Sequence, residues 1–129
     1  MTDIATPNES EVEALTGLTV ASVEDGFVAA RALRSAGVGT AIITLGDKGC
    51  IVDDGTWQAH VPPMNAGTVV ETTGAGDAFN GGLAAGLSQG MKLEDAVRYA
   101  TATAAISVTR PGAAASMPDR SEIQSLFGR

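Results

Sequence analysis

The chain has 129 residues, and its 8 Lys and Arg against 15 Asp and Glu give a net charge of −7. This is the length of one ordinary domain. Apolar residues make up 44% of the chain, which excludes a disordered tail. The acidic balance argues against nucleic acid or an anionic membrane as the main partner, because both require clustered Lys and Arg. The single cysteine, Cys50, cannot form an internal disulfide. The sequence predicts neither a signal peptide nor a membrane span, so we expect a cytoplasmic protein.

The first half of the chain predicts two helices and a buried strand. Asn8 caps the first helix and Gly17 ends it, and the second helix begins after Ser22 and ends at Gly37. Residues 40–45 form a β-branched apolar run with no alternation, typical of a strand that is buried on both faces between parallel neighbours. Too few strands follow to supply both neighbours, so the order of elements favours part of a larger α/β sheet.

Further strands and helices are predicted after this run. A turn at 46–49 leads to a strand at 50–52, and a hairpin signal at Asp54 leads to a half-buried strand at 57–61. One more short strand is predicted at 67–70. Helices are expected at 74–89, where Gly82 and Gly86 allow close backbone approach, at 93–108, and after Asp119, with an irregular loop at 110–118 before the last one.

The most informative stretch is ETTGAGDAFN, from Glu71 to Asn80. Glycines directly before a helix leave its first N–H groups accessible to an anion, and the helix dipole favours negative charge there. An acid at the end of such a loop, Asp77, can orient a hydroxyl and accept its proton. The alternative, which is the more common arrangement, is a Gly-rich turn in which Asp77 caps the helix. The stretch is neither a P-loop nor a dinucleotide fingerprint, because no Gly-Lys-Ser/Thr follows and Phe79 stands at the third glycine.

Two patterns earlier in the chain also permit two interpretations. Asn8 and Glu11 could hold a hydrated Mg²⁺ near phosphates, or they could form a capping box, which is the commoner role of N-x-x-E. The TLGDKG turn at 44–49 follows the buried strand, at the end where α/β sheets bind ligands. It is as compatible with a tight connection as with a nucleotide site.

The remaining candidates are weaker. The loop at 109–116 offers carbonyls and a hydroxyl that suit a monovalent cation, but they also suit an ordinary loop. His60 has no Ser or Cys partner at a suggestive spacing, so we expect it on the strand surface, and Cys50 is expected in the core. No zinc or iron–sulfur spacing is present.

Taken together, four stretches resemble the carboxyl-terminal half of the ribokinase-like (PfkB) family of carbohydrate kinases. They are TPNESEVEALTG at 6–17, ITLGDKG at 43–49, TTGAGDAFNGGL at 72–83 and AAISVTRPGAAASMP at 104–118. Their order and spacing fit, and the resemblance covers the chain from Thr6 onward. It implies an α/β, ribokinase-like three-layer fold. Residues 1–129 would be its C-terminal nucleotide-binding portion, without the amino-terminal substrate and lid half.

The resemblance implies ATP-dependent phosphorylation of a sugar hydroxyl, with D-ribose to ribose 5-phosphate as the leading reaction and ATP, Mg²⁺ and K⁺ as cofactors. Asp77 matches the catalytic base, and the anion hole is matched by Gly74, Ala75 and Gly76. The nucleotide and Mg²⁺ positions are matched by Asn8, Glu11, Thr44, Gly46, Gly49 and Thr101. The potassium site is matched by Glu71, Thr73, Val108, Pro111, Gly112 and Ser116.

Two differences from the family, one at position 71 and one in the amino-terminal half that the chain does not match, affect the activity that we expect. Glu71 stands where the family usually has Asp, and its extra methylene could displace the carboxylate from the cation site. We expect the isolated chain to bind nucleotide weakly and to transfer phosphate slowly or not at all. The alternatives are a non-catalytic nucleotide-binding or interaction module, and a family kinase acting on another sugar or nucleoside. Exposed sheet edges predict a homo-oligomer or a swapped dimer.

Overall fold

The computed structural model describes residues 3–70, 72, 74–109, 121 and 123. The chain divides into two compact units, Met1–Pro62 and Pro63–Arg129. The elements of the first unit are β1 (Ile4–Ala5), α1 (Glu9–Thr16), α2 (Val23–Ser35), β2 (Thr40–Thr44), a 3₁₀ turn (Gly46–Lys48), β3 (Cys50–Asp53) and β4 (Gln58–Val61). Those of the second unit are α3 (Ala75–Ser88) and α4 (Leu93–Ser107).

The first unit contains a sheet with the strand order β1-β2-β3-β4. β1 pairs in parallel with β2, in the register Ile4 with Thr40, whereas β3 is antiparallel to both β2 and β4. The prediction of parallel neighbours on both sides of the buried run is therefore wrong on the β3 side. The physical reason is the short turn at 46–49, because a connection of this length can join only antiparallel strands.

The core of the first unit is made of small and branched aliphatic side chains. α2 packs on β2 and β3, and it comes so close to β3 that a Cβ at Gly26 would lie 2.7 Å from Cγ1 of Ile51. Cys50 is 1% exposed, which confirms its expected place in the core. The cluster consists of Val12, Val20, Ala29, Ala30, Leu33, Ala41, Ile43, Leu45 and Ile51.

The first helix begins and ends, and the second helix begins, where their sequence signals place them, whereas the second helix ends at Ser35, two residues before Gly37. Asn8 caps α1, and the left-handed Gly17 (φ 75°) ends it with its N–H bonded to the carbonyl of Glu13. The Ser22 hydroxyl caps α2 by accepting the N–H of Asp25 at 3.2 Å. These caps satisfy backbone groups that have no partner inside a helix.

The β3–β4 hairpin is closed by Asp54. Its Oδ1 accepts the N–H groups of Thr56 at 2.9 Å and Trp57 at 2.6 Å, and the hydroxyl of Thr56 at 3.0 Å. Burial alone would raise the pKa of Asp54, but these hydrogen bonds and the nearby Arg34 guanidinium lower that pKa below its ordinary value. Along β4, exposed His60 alternates with buried Val61, which confirms a half-buried strand.

In the second unit, α3 and α4 pack closely through glycines. A Cβ at Gly82 would lie 2.5 Å from Oγ1 of Thr103, and one at Gly86 would lie 3.1 Å from Cα of Ala96. Neither site has room for a side chain without displacement of α4. The structure thus confirms the close backbone approach predicted for Gly82 and Gly86.

The strand predicted at 67–70 does not form. Val70 donates its N–H to the carbonyl of Val108 at 2.7 Å, so the end of a helix takes the place of a neighbouring strand. Ser121 and Ile123 are helical, and Ile123 is buried, in line with the last predicted helix. The loop predicted at 110–118 and the Asp119 cap lie outside the described residues. Within the described part of the chain, the helices are too short or too polar to cross a bilayer.

Candidate functional site

The carboxyl ends of β1 and β2 lie side by side in the first unit. Thr44 donates its N–H to the carbonyl of Pro7 at 3.0 Å, and Asn8 pairs with Thr44 in a parallel bridge. Because parallel strands end at the same edge of a sheet, the helix start after β1 and the turn after β2 become neighbours. The structure thereby gathers at one edge the first-unit candidates Asn8, Glu11, Thr44, Gly46 and Gly49.

Asn8 and Glu11 form a complete capping box. The N–H of Glu11 donates to Oδ1 of Asn8 at 2.9 Å, and the N–H of Asn8 donates to Oε1 of Glu11 at 2.9 Å. The commoner of the two interpretations of N-x-x-E is therefore realised. The box occupies one oxygen of each side chain, and a carboxylate has a second oxygen with which to bind another group. Among the described residues, no three His, Cys, Asp or Glu side chains gather into a metal-binding group.

The turn after β2 depends on two glycines with left-handed backbones. Gly46 has φ 60° and Gly49 has φ 87°, a region that side chains disfavour. The turn closes through the N–H of Leu45, which donates to the carbonyl of Gly49 at 2.8 Å, and through the N–H of Gly49, which donates to Gly46 at 3.3 Å. The buried side chain of Leu45 anchors the start of the turn in the core.

In the second unit, the glycine-rich stretch forms the start of α3. Gly74 is the cap residue, with φ 88° and no side-chain cap, and Asp77 lies in the first turn of the helix. The alternative in which Asp77 caps the helix is therefore not realised. Ala75 donates its N–H to the carbonyl of Thr72 at 3.2 Å. The Asp77 side chain is exposed, and its position in the first turn is the one where the helix dipole favours a negative charge.

The glycines around this helix start differ in what they require. Gly74 needs its left-handed φ, whereas Gly76 has an ordinary φ and a Cβ there would meet no atom within 4 Å. Among the described residues, neither backbone strain nor packing explains a glycine at position 76. A glycine in open space beside a helix start leaves its N–H approachable from outside.

The other second-unit candidates are only partly described. Thr101 is 7% exposed, and its hydroxyl donates to the carbonyl of Val97 at 2.8 Å. The Val108 carbonyl accepts the N–H of Val70, the residue directly before Glu71. This bond fixes the chain entering position 71 to the end of α4. The remaining candidates of the potassium site lie outside the described residues: Glu71, Thr73, Pro111, Gly112 and Ser116.

Curated relatives match nearly the whole chain. It is 41% identical over 120 residues to a ribokinase of Haemophilus influenzae, covering 93% of this chain and 39% of the relative. It is 39% identical over 116 residues to a deoxyribokinase of Salmonella typhi, covering 90% and 38%. It is 34% identical over 125 residues to a 1-phosphofructokinase of Escherichia coli, covering 95% and 38%. The chain therefore spans about two-fifths of the length of these relatives.

Solved structures show the same fold. Ribokinase of Arabidopsis thaliana, complexed with ribose and ATP, superimposes with a TM-score of 0.91 at 34% identity over 98% of this chain and 41% of that one. Ribokinase of Thermotoga maritima gives 0.87 at 42% identity, over 98% and 42%. Phosphofructokinase-2 of Escherichia coli in complex with potassium gives 0.85 at 23% identity over 98% and 40%, which shows a shared fold.

These likenesses confirm the expected mixed α/β, ribokinase-like fold. The family described as pfkB family carbohydrate kinase matches residues 1–120, which is nearly the whole chain. The chain belongs to the pfkB family of carbohydrate kinases.

Proposed function

We propose that the chain is the C-terminal, nucleotide-binding portion of an ATP-dependent sugar kinase, with D-ribose as the acceptor. The observation that carries the proposal is the start of α3, where a helix without a side-chain cap follows a left-handed glycine and places Asp77 in its first turn. Carbohydrate kinases transfer a phosphoryl group to a hydroxyl, and this geometry offers a site for the anion next to a carboxylate.

The backbone of residues 74–76 serves as the anion hole in this proposal. The first N–H groups of a helix have no partner within the helix, and no side chain caps them in α3, although that of Ala75 donates to the Thr72 carbonyl at 3.2 Å. The open space at Gly76 supports the role, since a ligand that approaches the backbone closely needs a residue without a side chain there. Such N–H groups stabilise the negative charge on the phosphoryl oxygens in the transition state.

Asp77 is the proposed catalytic base. As an oxygen of the sugar hydroxyl forms its bond to the γ-phosphorus, the bond from phosphorus to the bridging oxygen of ADP breaks, and Asp77 accepts the hydroxyl proton. Because the transition state has little bond formation to the acceptor, positioning and charge neutralisation contribute most of the rate. The exposure of Asp77 leaves its carboxylate accessible to such a substrate.

The sheet edge of the first unit is the proposed nucleotide position. Gly46, Gly49 and Thr44 would form the turn that contacts the nucleotide, and Asn8 and Glu11 would hold Mg²⁺ near its phosphates. The parallel bridge between Asn8 and Thr44 supports this assignment, because it brings the start of α1 and the turn after β2 to one edge of the sheet. Thr101 is the residue proposed to lie beside the adenine.

Potassium is proposed as an activating ion near the end of α4. The proposed ligands are Glu71, Thr73, Val108, Pro111, Gly112 and Ser116. The hydrogen bond from the Val70 N–H to the Val108 carbonyl supports including Glu71 and Val108 in one site. It holds Val70, the residue directly before Glu71, at that carbonyl. A carbonyl oxygen has two lone pairs, so this bond leaves one for a cation.

The acceptor is inferred from the relatives. Ribokinases of Haemophilus influenzae and Thermotoga maritima are 41% and 42% identical to this chain, which favours ribose. A deoxyribokinase and a 1-phosphofructokinase are also relatives, so another sugar is the natural second test substrate. The sugar-binding half is expected in the part of the relatives that this chain does not match.

A thermal melt with and without MgATP tests the phosphate site. We expect MgATP to raise the melting temperature, because a ligand of the native state stabilises it, and K⁺ in place of Na⁺ to increase the rise. Asp77→Asn should keep the rise and abolish ADP release in the full-length kinase. A melt indifferent to MgATP would overturn the proposal, and unchanged ADP release by Asp77→Asn would favour a non-catalytic module.

Self-association is proposed through the outer edges of the sheet. β1 and β4 are the end strands of the described sheet, so each offers one unpaired row of backbone groups. Sedimentation velocity of the chain should show a dimer or larger species. A compact monomer across the concentration range would contradict this proposal.

A further inference from the structure

We propose that His60 is a positioning residue for the turn at 46–49, acting on that turn from the neighbouring strand. His60 lies on β4, and its Nε2 is 2.6 Å from the carbonyl oxygen of Lys48 inside the turn. The contact joins residues twelve positions apart, and β3 lies between them in sequence. The inference rests on the proposed function, in which this turn contacts the nucleotide.

The chemistry of the contact fixes the proton on the ring. A carbonyl oxygen only accepts hydrogen bonds, so Nε2 of His60 must carry the hydrogen. Both the neutral Nε2–H tautomer and the imidazolium satisfy this requirement. The ring therefore keeps its hold on the Lys48 carbonyl in either protonation state.

Lys48 is held at its other end as well. Its Nζ donates to the carbonyl of Ala21 at 3.1 Å, and the N–H of Ala21 donates to Oδ2 of Asp25 in the first turn of α2 at 3.0 Å. The turn is thus connected on one side to β4 and on the other to the start of α2. His60 supplies the β4 side of this connection.

Such support matters because the turn contains two glycines in left-handed conformations. Glycine loses more conformational freedom on folding than any other residue, so Gly46 and Gly49 make the turn costly to order. A turn that is already ordered binds its ligand more tightly, since the ligand need not supply the ordering free energy. His60 would therefore raise nucleotide affinity without touching the nucleotide.

The variants are chosen to separate the hydrogen bond from the strand. His60→Ala removes the donor, and His60→Gln restores an N–H donor at the end of the side chain. Gln58→Ala is the matched control, since Gln58 is exposed on the same strand and donates instead to Oδ2 of Asp53 at 3.3 Å. Circular dichroism verifies that each 129-residue variant is folded.

The chain has a single histidine, so its imidazole signals are assigned in the NMR spectrum without further work. We expect ¹⁵N shifts of an Nε2–H ring in the neutral state. His60→Ala should speed hydrogen exchange at the N–H groups of Lys48 and Gly49 and weaken MgADP binding about three- to tenfold, the loss of one hydrogen bond. His60→Gln should recover most of both, and Gln58→Ala should change neither.

Each other outcome overturns the inference. An Nδ1–H tautomer would mean that the ring does not donate to Lys48. If the wild type binds MgADP and His60→Ala binds it equally tightly, His60 does not position the turn, and the proposed function still stands. No binding of MgADP by the wild-type chain would overturn the proposed function, and the inferred role of His60 with it. Equal losses in His60→Ala and His60→Gln would show a requirement for the ring and not for its hydrogen bond.

Discussion

α1 and α3 both begin at positions proposed to face phosphates, yet they begin differently. Asn8 and Glu11 close the start of α1 with reciprocal hydrogen bonds of 2.9 Å, whereas Gly74 opens α3 without a side-chain cap. α1 buries Val12 alone among its residues, but α3 buries several, Gly82 and Gly86 among them. The start of α1 is therefore stabilised locally, and α3 is stabilised by its packing on α4.

The difference indicates how a helix start is kept accessible to a ligand. A side-chain cap contributes about 1 kcal/mol but occupies the N–H groups that an anion would use. A helix that obtains its stability from tertiary packing can omit the cap. If that is the reason for the Gly74 start, damage to the α3–α4 packing should cost more than removal of the α1 cap.

The largest effect is expected from Gly82→Val. Its Cβ would lie 2.5 Å from Oγ1 of Thr103 and 3.0 Å from Cα of Ala100, so α3 and α4 must separate. We expect a loss of about 2–3 kcal/mol in the free energy of unfolding, measured by urea titration. Ala84→Val is the control, because Ala84 is exposed on the same helix and should lose only about 0.5 kcal/mol. Equal losses would contradict a packing-based α3.

A smaller effect is expected from Gly74→Ala. The left-handed φ of 88° at Gly74 should make this substitution cost about 1–2 kcal/mol. Gly76→Ala should instead leave stability unchanged or raise it by up to about 1 kcal/mol, since its φ is ordinary and its Cβ would meet nothing. The pair is measured by urea titration and by the MgATP-induced rise in melting temperature. Gly76→Ala should reduce that rise, and an undiminished rise would contradict the anion hole.

The α1 cap should contribute less. Asn8→Ala removes the Oδ1 atom that accepts the Glu11 N–H and should cost about 1 kcal/mol of unfolding free energy. Glu11→Gln retains an acceptor for the Asn8 N–H, so it should retain stability while weakening MgATP binding through the lost charge. Calorimetric titration with MgATP separates the two roles. If Glu11→Gln binds MgATP as the wild type does, Glu11 serves only as a cap.

The smallest effect on stability is expected at Asp54. Its carboxylate accepts backbone N–H groups in the β3–β4 hairpin, as the Asn8 side chain does at the start of α1. Its folded-state pKa is lowered from the ordinary 3.8, so its contribution to stability is present above that pH and is lost as the pH falls through the lower folded value. Between about pH 5 and pH 2, wild type should therefore lose more stability than Asp54→Asn, whose amide oxygen does not titrate there. Parallel acid dependence of both urea midpoints would exclude Asp54 as a contributor.

Local signals predicted the parts of the fold that depend on local chemistry. The Asn8 and Ser22 caps, the Gly17 stop and the Gly82 contact follow from what single residues can do. β1 was missed because its two residues, Ile4 and Ala5, are too short for a periodic pattern and form a strand only by pairing with β2.

Other features depend on partners that a sequence pattern does not identify. Residues 67–70 look like a strand, yet Val70 pairs with the end of α4. For the candidate site, the pattern found both glycine-rich turns but could not decide between an anion-binding helix start and a turn in which Asp77 caps the helix, and the structure has Gly74 as the cap residue. The contact of His60 with Lys48 required the pairing of β4 with β3, which brings residues distant in sequence together.

The glycine contacts between α3 and α4 also fix the position of Asp77 along the axis of α3 relative to α4. Gly82 and Gly86 follow Asp77 by five and nine residues, about 7.5 Å and 13.5 Å along a helix axis. Each glycine fits closely against one backbone position of α4. These contacts therefore fix how far α3, which carries Asp77, can shift along its axis relative to α4. The depth to which the carboxylate projects is thus set two helical turns away. Under the proposed function, substitutions at these distant positions should displace Asp77 and lower turnover, although no reacting group is itself replaced.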